Sequence, residues 1–155
     1  EQYAAGKEAA RRDEEKQLFT ETQVTGLDVE SSGTYTLVKN GLVKGARWAS
    51  DREYTFTDIP AALRGATYIV TTMDDKSAGG DAFMSFRISA PATVYVGYDE
   101  RSGPPGWMKD WKATGDVIVT DADGLKLKVY AQRFDAGTVT LGGCRAGAMY
   151  TVAIK

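Results

Sequence analysis

Histidine is absent from this chain of 155 residues, and cysteine occurs once, at Cys144. The first absence removes the commonest general base and the commonest transition-metal ligand together. It also rules out a Ser-His-Asp or Cys-His catalytic arrangement. A single cysteine excludes an internal disulfide. Cys144 reads as a small buried apolar residue, the alternative being a thiol on a partner surface. The sequence holds no CxxCH haem attachment site and no glycine-rich phosphate loop ending in Lys-Ser/Thr. No stretch approaches the ~20 apolar residues that span a bilayer. Neither sign of charge dominates: the net charge is -2 with both signs mixed, which argues against nucleic acid as a partner. Nothing singles out a carboxylate pair for glycoside hydrolysis. These absences point to a non-catalytic protein with no cofactor and no metal. Residue 1 is Glu, so an upstream signal or anchor segment is expected.

What is present divides near Gln23. Residues 1–22 are rich in Ala, Glu, Lys, Arg and Gln, strong helix formers. Glu8–Arg12 and Arg11–Glu15 are opposite charges four apart. Tyr3, Ala4, Leu18 and Phe19 give only a thin apolar stripe, and such a helix alone is marginal in water. It is either a solvated spacer or an arm that docks through Tyr3, Leu18 and Phe19.

From residue 23 to 155 the pattern becomes short β segments separated by Gly, Asp, Asn and Pro. The candidates are Val24–Val29, Thr34–Lys39, Glu53–Thr57, Thr67–Thr72, Ala82–Ser89 and Thr93–Tyr98. Asp116–Thr120, Leu125–Tyr130, Thr138–Leu141 and Met149–Ile154 complete the set. Asn40-Gly41 accepts positive φ and reads as a hairpin turn between Thr36-Leu-Val38 and Val43. Asp121-Ala-Asp-Gly124 is a second turn, and Asp58 to Gly65 a short helical turn. The segments lie too close together for βαβ crossovers. The expectation is an all-β chain: an antiparallel β-sandwich (jelly-roll or Ig-like) of about ten short strands, with a closed barrel as the nearest competitor.

One stretch concentrates chemistry. Thr93-Val-Tyr-Val-Gly-Tyr-Asp-Glu-Arg101 runs into Pro104-Pro-Gly-Trp-Met108, which places Tyr98, Asp99, Arg101, Trp107 and Trp111 on one strand end and its loop. Aromatic rings stack on the apolar faces of sugars, while Asp99, Arg101 and Lys109 are partners for hydroxyls. The same rings equally cap the end of a sandwich core, or anchor a protein interface. Asp74, Asp75 and Asp81 offer oxygens to a hard cation, but their spacing does not match an EF-hand and Lys76 competes for them, so a solvated turn is expected. Asp51 and Arg52 read as a structural ion pair. Arg87, between Phe86 and Ile88, should face outward.

Asp51-Arg-Glu-Tyr-Thr-Phe56, Thr67-Tyr-Ile-Val-Thr-Thr-Met-Asp-Asp-Lys76, Val94-Tyr-Val-Gly-Tyr-Asp-Glu-Arg101 with Trp107, and Phe134-Asp-Ala-Gly-Thr-Val-Thr-Leu141 occur in an order that resembles a family. It is that of β-sandwich, carbohydrate-binding-like accessory modules of secreted bacterial proteins. These modules sit beside polysaccharide-degrading domains and, in some bacteria, beside c-type cytochrome domains. The resemblance implies binding or scaffolding, carries no catalytic residues, and places the chain in the periplasm or outside the cell. Two readings follow. In the first, the chain is an interaction subunit docked on a larger protein complex, by analogy a membrane-anchored electron-transfer or photosynthetic one. In the second, it is a module that binds polysaccharide through the loop around Tyr98 to Trp111.

Overall fold

Alternating apolar and polar residues, punctuated by Gly, Asn and Asp, form ten strands in the computed structural model, which describes residues 22–155. In chain order these are β1 (Val24–Val29), β2 (Thr36–Val38), β3 (Phe56–Asp58), β4 (Thr67–Val70), β5 (Met84–Ile88), β6 (Ala92–Asp99), β7 (Lys112–Thr120), β8 (Lys126–Phe134), β9 (Gly137–Leu141) and β10 (Thr151–Ile154). Helical structure among the described residues is confined to short 3-10 turns at Ala61–Leu63, Met73–Ser77 and Gly106–Met108. The expected helical arm, with Tyr3, Leu18 and Phe19, falls in residues 1–21, outside the described part.

The strands form two sheets, ordered β1-β5-β9 and β2-β4-β10-β6-β8-β7-β3, and every strand pair in them is antiparallel. The result is the expected β-sandwich. In the small sheet one face is buried: Met84, Phe86, Ile88, Val139 and Leu141 point inward, while Arg87, Thr138 and Thr140 are exposed. The large sheet differs. All four residues of β10 are buried, and so are Val94, Val96, Gly97 and Tyr98 of β6. A strand with no exposed face must be covered on both sides.

The second cover is the irregular segment between β2 and β4. Trp48, with no exposed surface, donates its indole N–H to the Met149 carbonyl at 3.1 Å. Its ring packs against Phe56, and Phe56 meets Tyr68 of β4 edge-on with centroids 6.0 Å apart. Leu42, Ile59 and Leu63 are buried with them. This segment also corrects the hairpin expected at Asn40-Gly41. Asn40 does adopt positive φ, at 54°. The chain beyond it does not return beside β2, whose partner is β4. Instead Leu42 bonds to Ala66 and Gly65, and its buried side chain helps cover the sheet. Burial of Leu42 outweighs the local hairpin signal. The Asp121–Gly124 turn does join β7 to β8, with Asp123 and Gly124 at positive φ.

The centre of the double cover is tight. A Cβ on Gly97 would stand 2.8 Å from Thr151 Cγ2 and 3.3 Å from both Ile118 Cδ1 and Leu127 Cβ. Only glycine lets β6 and its neighbours keep their spacing beneath these side chains. Gly97→Val should therefore cost roughly 2–3 kcal/mol or more through overpacking, measurable by urea denaturation. An unchanged midpoint and slope would contradict the close packing.

Candidate functional site

The pleat of β6 decides which of the sequence-derived site residues meet. Successive side chains on a strand point to opposite faces, so Tyr98 and Asp99 part company. Tyr98 turns into the core; its hydroxyl donates to the Cys144 and Arg145 carbonyls. Burial pushes the Tyr98 hydroxyl up to about 12, with the Cys144 and Asp99 charges adding to it. Cys144 itself is buried, its thiol also raised to about 12, chiefly by desolvation.

Trp107 and Trp111 lie on the Tyr150 side of the sheet. Trp107 donates its indole N–H to the Gly143 carbonyl at 2.9 Å, and a Cβ on Gly142 would collide with its ring. Rings follow one another edge to face: Tyr150 to Trp107, Trp107 to Trp111, Trp111 to Phe134. The two tryptophans stand at 87° to each other with centroids 5.7 Å apart. They form no flat platform on which a sugar chain stacks. The Gly106–Trp111 loop packs its half-buried indoles against the core.

Asp99 faces the other way, and with it Arg101. The Asp99 side chain has no exposed surface, yet it accepts three bonds from Arg101: from the backbone N–H and Nε at 2.9 Å and from Nη2 at 2.7 Å. Burial alone would raise its pKa; these donors more than reverse that and hold the carboxyl below the usual range. The guanidinium is thereby fixed with 59 % of its side chain exposed. It borders a groove of about 440 Å³ lined also by Trp48, Tyr54, Arg52, Lys76, Glu100 and Asp123.

Tyr54 is one of two large hydrophobic residues exposed among those described, and its ring rests on buried Trp48 at 6.0 Å with a 39° tilt. Arg52 is fixed as Arg101 is. It donates to Asp51 at 3.1 Å and to Asp74 at 2.8 Å, and Asp51 in turn accepts the Met73 and Asp74 N–H groups. Burial raises the Asp51 pKa, and the two backbone donors, its own N–H and Arg52 bring it below the ordinary value. The structure therefore assembles one exposed aromatic ring on a rigid backing, two oriented guanidiniums, one ammonium and two carboxylates.

Of the five binding residues read from sequence, only Arg101 borders this groove. Trp48 and Tyr54 were not singled out as site residues. The one signal for them is the mixed aromatic and charged run Asp51–Phe56 with Trp48 just before it. Of the three acidic residues weighed for a cation, two serve the fold: Asp74 pairs with Arg52, and Asp75 accepts from Ser31 at 2.6 Å and Tyr35 at 2.5 Å, while Asp81 is exposed. No group of three or more Cys, Asp or Glu arranged to hold a metal occurs among the described residues.

Two outcomes test these assignments. Because Asp99 has a folded-state pKa below its unfolded value of ~3.9, the Asp99–Arg101 pair stabilises the fold above that value. Its contribution fades as pH falls through the folded pKa. Arg101→Met leaves a buried carboxylate short of donors, so the variant should lose about 1–3 kcal/mol at neutral pH. That deficit should hold from neutral pH down to ~4 and shrink as pH falls below it, and denaturation midpoints across the range check it. A deficit independent of pH would contradict the pairing. Trp107→Ala should lower stability by roughly 2–3 kcal/mol through the cavity it leaves, measurable by urea denaturation; an unchanged midpoint would contradict its packing role.

No family model matches the chain. A search of curated proteins returns no match either. Solved structures do resemble it. A β-glucuronidase from glycoside hydrolase family 2 superposes with a TM-score of 0.76 at 21% identity, over 83% of this chain and 14% of that one. A GH138 enzyme targeting pectin rhamnogalacturonan II superposes with a TM-score of 0.54 at 18% identity, over 87% of this chain and 16% of that one. At such identities the likeness is one of fold, and the chain spans a small part of each enzyme: its fold is that of a β-sandwich segment found within carbohydrate-active enzymes.

Proposed function

We propose that the chain is a non-catalytic accessory module, acting outside the cytoplasm, that binds saccharide in the groove between Tyr54 and Arg101. The observation that carries this reading is the exposed Tyr54 ring, backed by Trp48 and flanked by guanidiniums that their own carboxylates hold in place. A sugar presents an apolar ring face and a belt of hydroxyls. The first packs on an aromatic ring; the second needs both donors and acceptors held in fixed positions. Arginines tied down before binding lose little side-chain freedom when the ligand arrives. Asp51, Asp74 and Asp99 are engaged with arginine, an arrangement suited to recognition more than to proton transfer. The fold likeness to segments of two glycoside hydrolases supports the same reading.

A second reading is docking on a larger protein complex, such as a membrane-anchored electron-transfer or photosynthetic assembly. It draws on the same exposed pair, since Tyr and Arg are preferred anchors of protein interfaces.

Affinity gel electrophoresis against a panel of soluble polysaccharides separates the two. The expected result is retardation by at least one polysaccharide, lost or weakened about tenfold in Tyr54→Ala with the β-type circular dichroism unchanged. If Tyr54→Ala is retarded as strongly as the parent chain, the groove is not the binding site. If no polysaccharide retards the parent, saccharide binding is refuted and co-purification with a stoichiometric protein partner becomes the expectation.

A further inference from the structure

The groove does not end at Tyr54. On its far side lies a second depression of about 600 Å³, lined by Asp51, Arg52, Glu53, Tyr54 and Asp121. The two hollows share Arg52 and Tyr54, so they adjoin along these two residues. Both are open surface depressions, of about 440 and 600 Å³. A single sugar ring does not reach across both hollows, whereas a chain laid over their common border does.

The charges narrow the chemistry. In the second depression Asp51, Glu53 and Asp121 face one cation, Arg52. Asp121 is held in place by the Thr55 N–H and hydroxyl at 2.8 and 2.9 Å. In the first, Glu100 and Asp123 stand beside Lys76 and the two arginines, and each arginine is already balanced by carboxylates of its own. A polyanion laid along this path would meet more carboxylates than unbalanced cations, and like charges at close range repel. An uncharged, hydroxyl-rich chain meets no such penalty. Its hydroxyls donate to the carboxylates and accept from the guanidiniums and the ammonium.

We infer that the two depressions form one extended site, which takes a linear, uncharged oligosaccharide with sugar units on both sides of Tyr54. This rests on the saccharide-binding reading above and adds to it the length and charge of the ligand. Glu53 is the residue to test it with. It lines only the second depression, is exposed, and makes no hydrogen bond or ion pair among the described residues. Its removal should leave the fold unchanged.

The experiment is calorimetric titration of the full chain with ladders of cello-, xylo- and manno-oligosaccharides, from single sugars to hexasaccharides, beside an oligogalacturonate ladder. The expected result is affinity for a neutral ladder that rises with length and then levels off, with single sugars failing to compete. Glu53→Ala should weaken the longer oligomers about tenfold and leave the shortest binding ones unaffected. Affinity that does not change with length, or a Glu53→Ala chain that binds every oligomer like the parent, would overturn the extended site. Tighter binding of oligogalacturonates than of every neutral ladder would overturn the assignment of charge. In each of those cases saccharide binding itself stands. Failure of all ladders to bind would instead refute the saccharide reading on which the inference rests.

Discussion

The central strands β6 and β10 have no exposed residue, and their coverage governs the rest of the described structure. β6 and β10 lie at the centre of the seven-stranded sheet, with buried side chains above and below. An antiparallel sheet ordinarily leaves one side to water. Here the three-stranded sheet covers one face, and the segment from Leu42 to Leu63 covers the other. That segment has little regular structure of its own, yet it holds Leu42, Trp48, Phe56, Ile59 and Leu63 among the buried residues. Its conformation is set by what it must cover.

The candidate site is a consequence of this second cover. As the segment crosses the sheet, Trp48 goes under and Tyr54 stays out, bringing an aromatic pair to the rim. The buried Asp99 holds Arg101 at the opposite wall. Desolvation of Asp99 is tolerated because three donors from one residue compensate it. The same alternation of β6 that sends Asp99 to the rim sends Tyr98 into the core, where it anchors the loop carrying Cys144. Adjacent residues of one strand thus send a core hydroxyl and a rim ion pair in opposite directions.

The tryptophans illustrate how residue type alone misleads. Trp107 and Trp111 are the residues a sugar platform would use, and they occur in a loop, where binding residues concentrate. Their edge-to-face contacts with Tyr150 and Phe134, and the indole bond to Gly143, give them a packing role. The exposed ring is instead Tyr54, a residue whose local sequence differs little from any strand entry. Exposure, which separates the two cases, depends on residues dozens of positions away.

The strand pattern, the turn at Asp121–Gly124, the outward Arg87, the Asp51–Arg52 pair and the burial of Cys144 were all legible in the sequence. Each rests on interactions within a strand, a turn or a dipeptide, where period and propensity act directly. The arrangement of Asn40-Gly41 was not, because its positive φ is local while the path beyond it is fixed by where Leu42 finds burial. Nor was the groove. Trp48, Tyr54, Arg101 and Asp123 are spread over three separate segments, and no spacing in the chain announces their meeting. The sequence by itself determined the all-β pattern from residue 23 onward and the absence of histidine and of an internal disulfide, because composition and period are properties of the chain alone. Only the tertiary structure decided which aromatic rings face water and which arginines are held, because those follow from what each face of the central sheet is packed against.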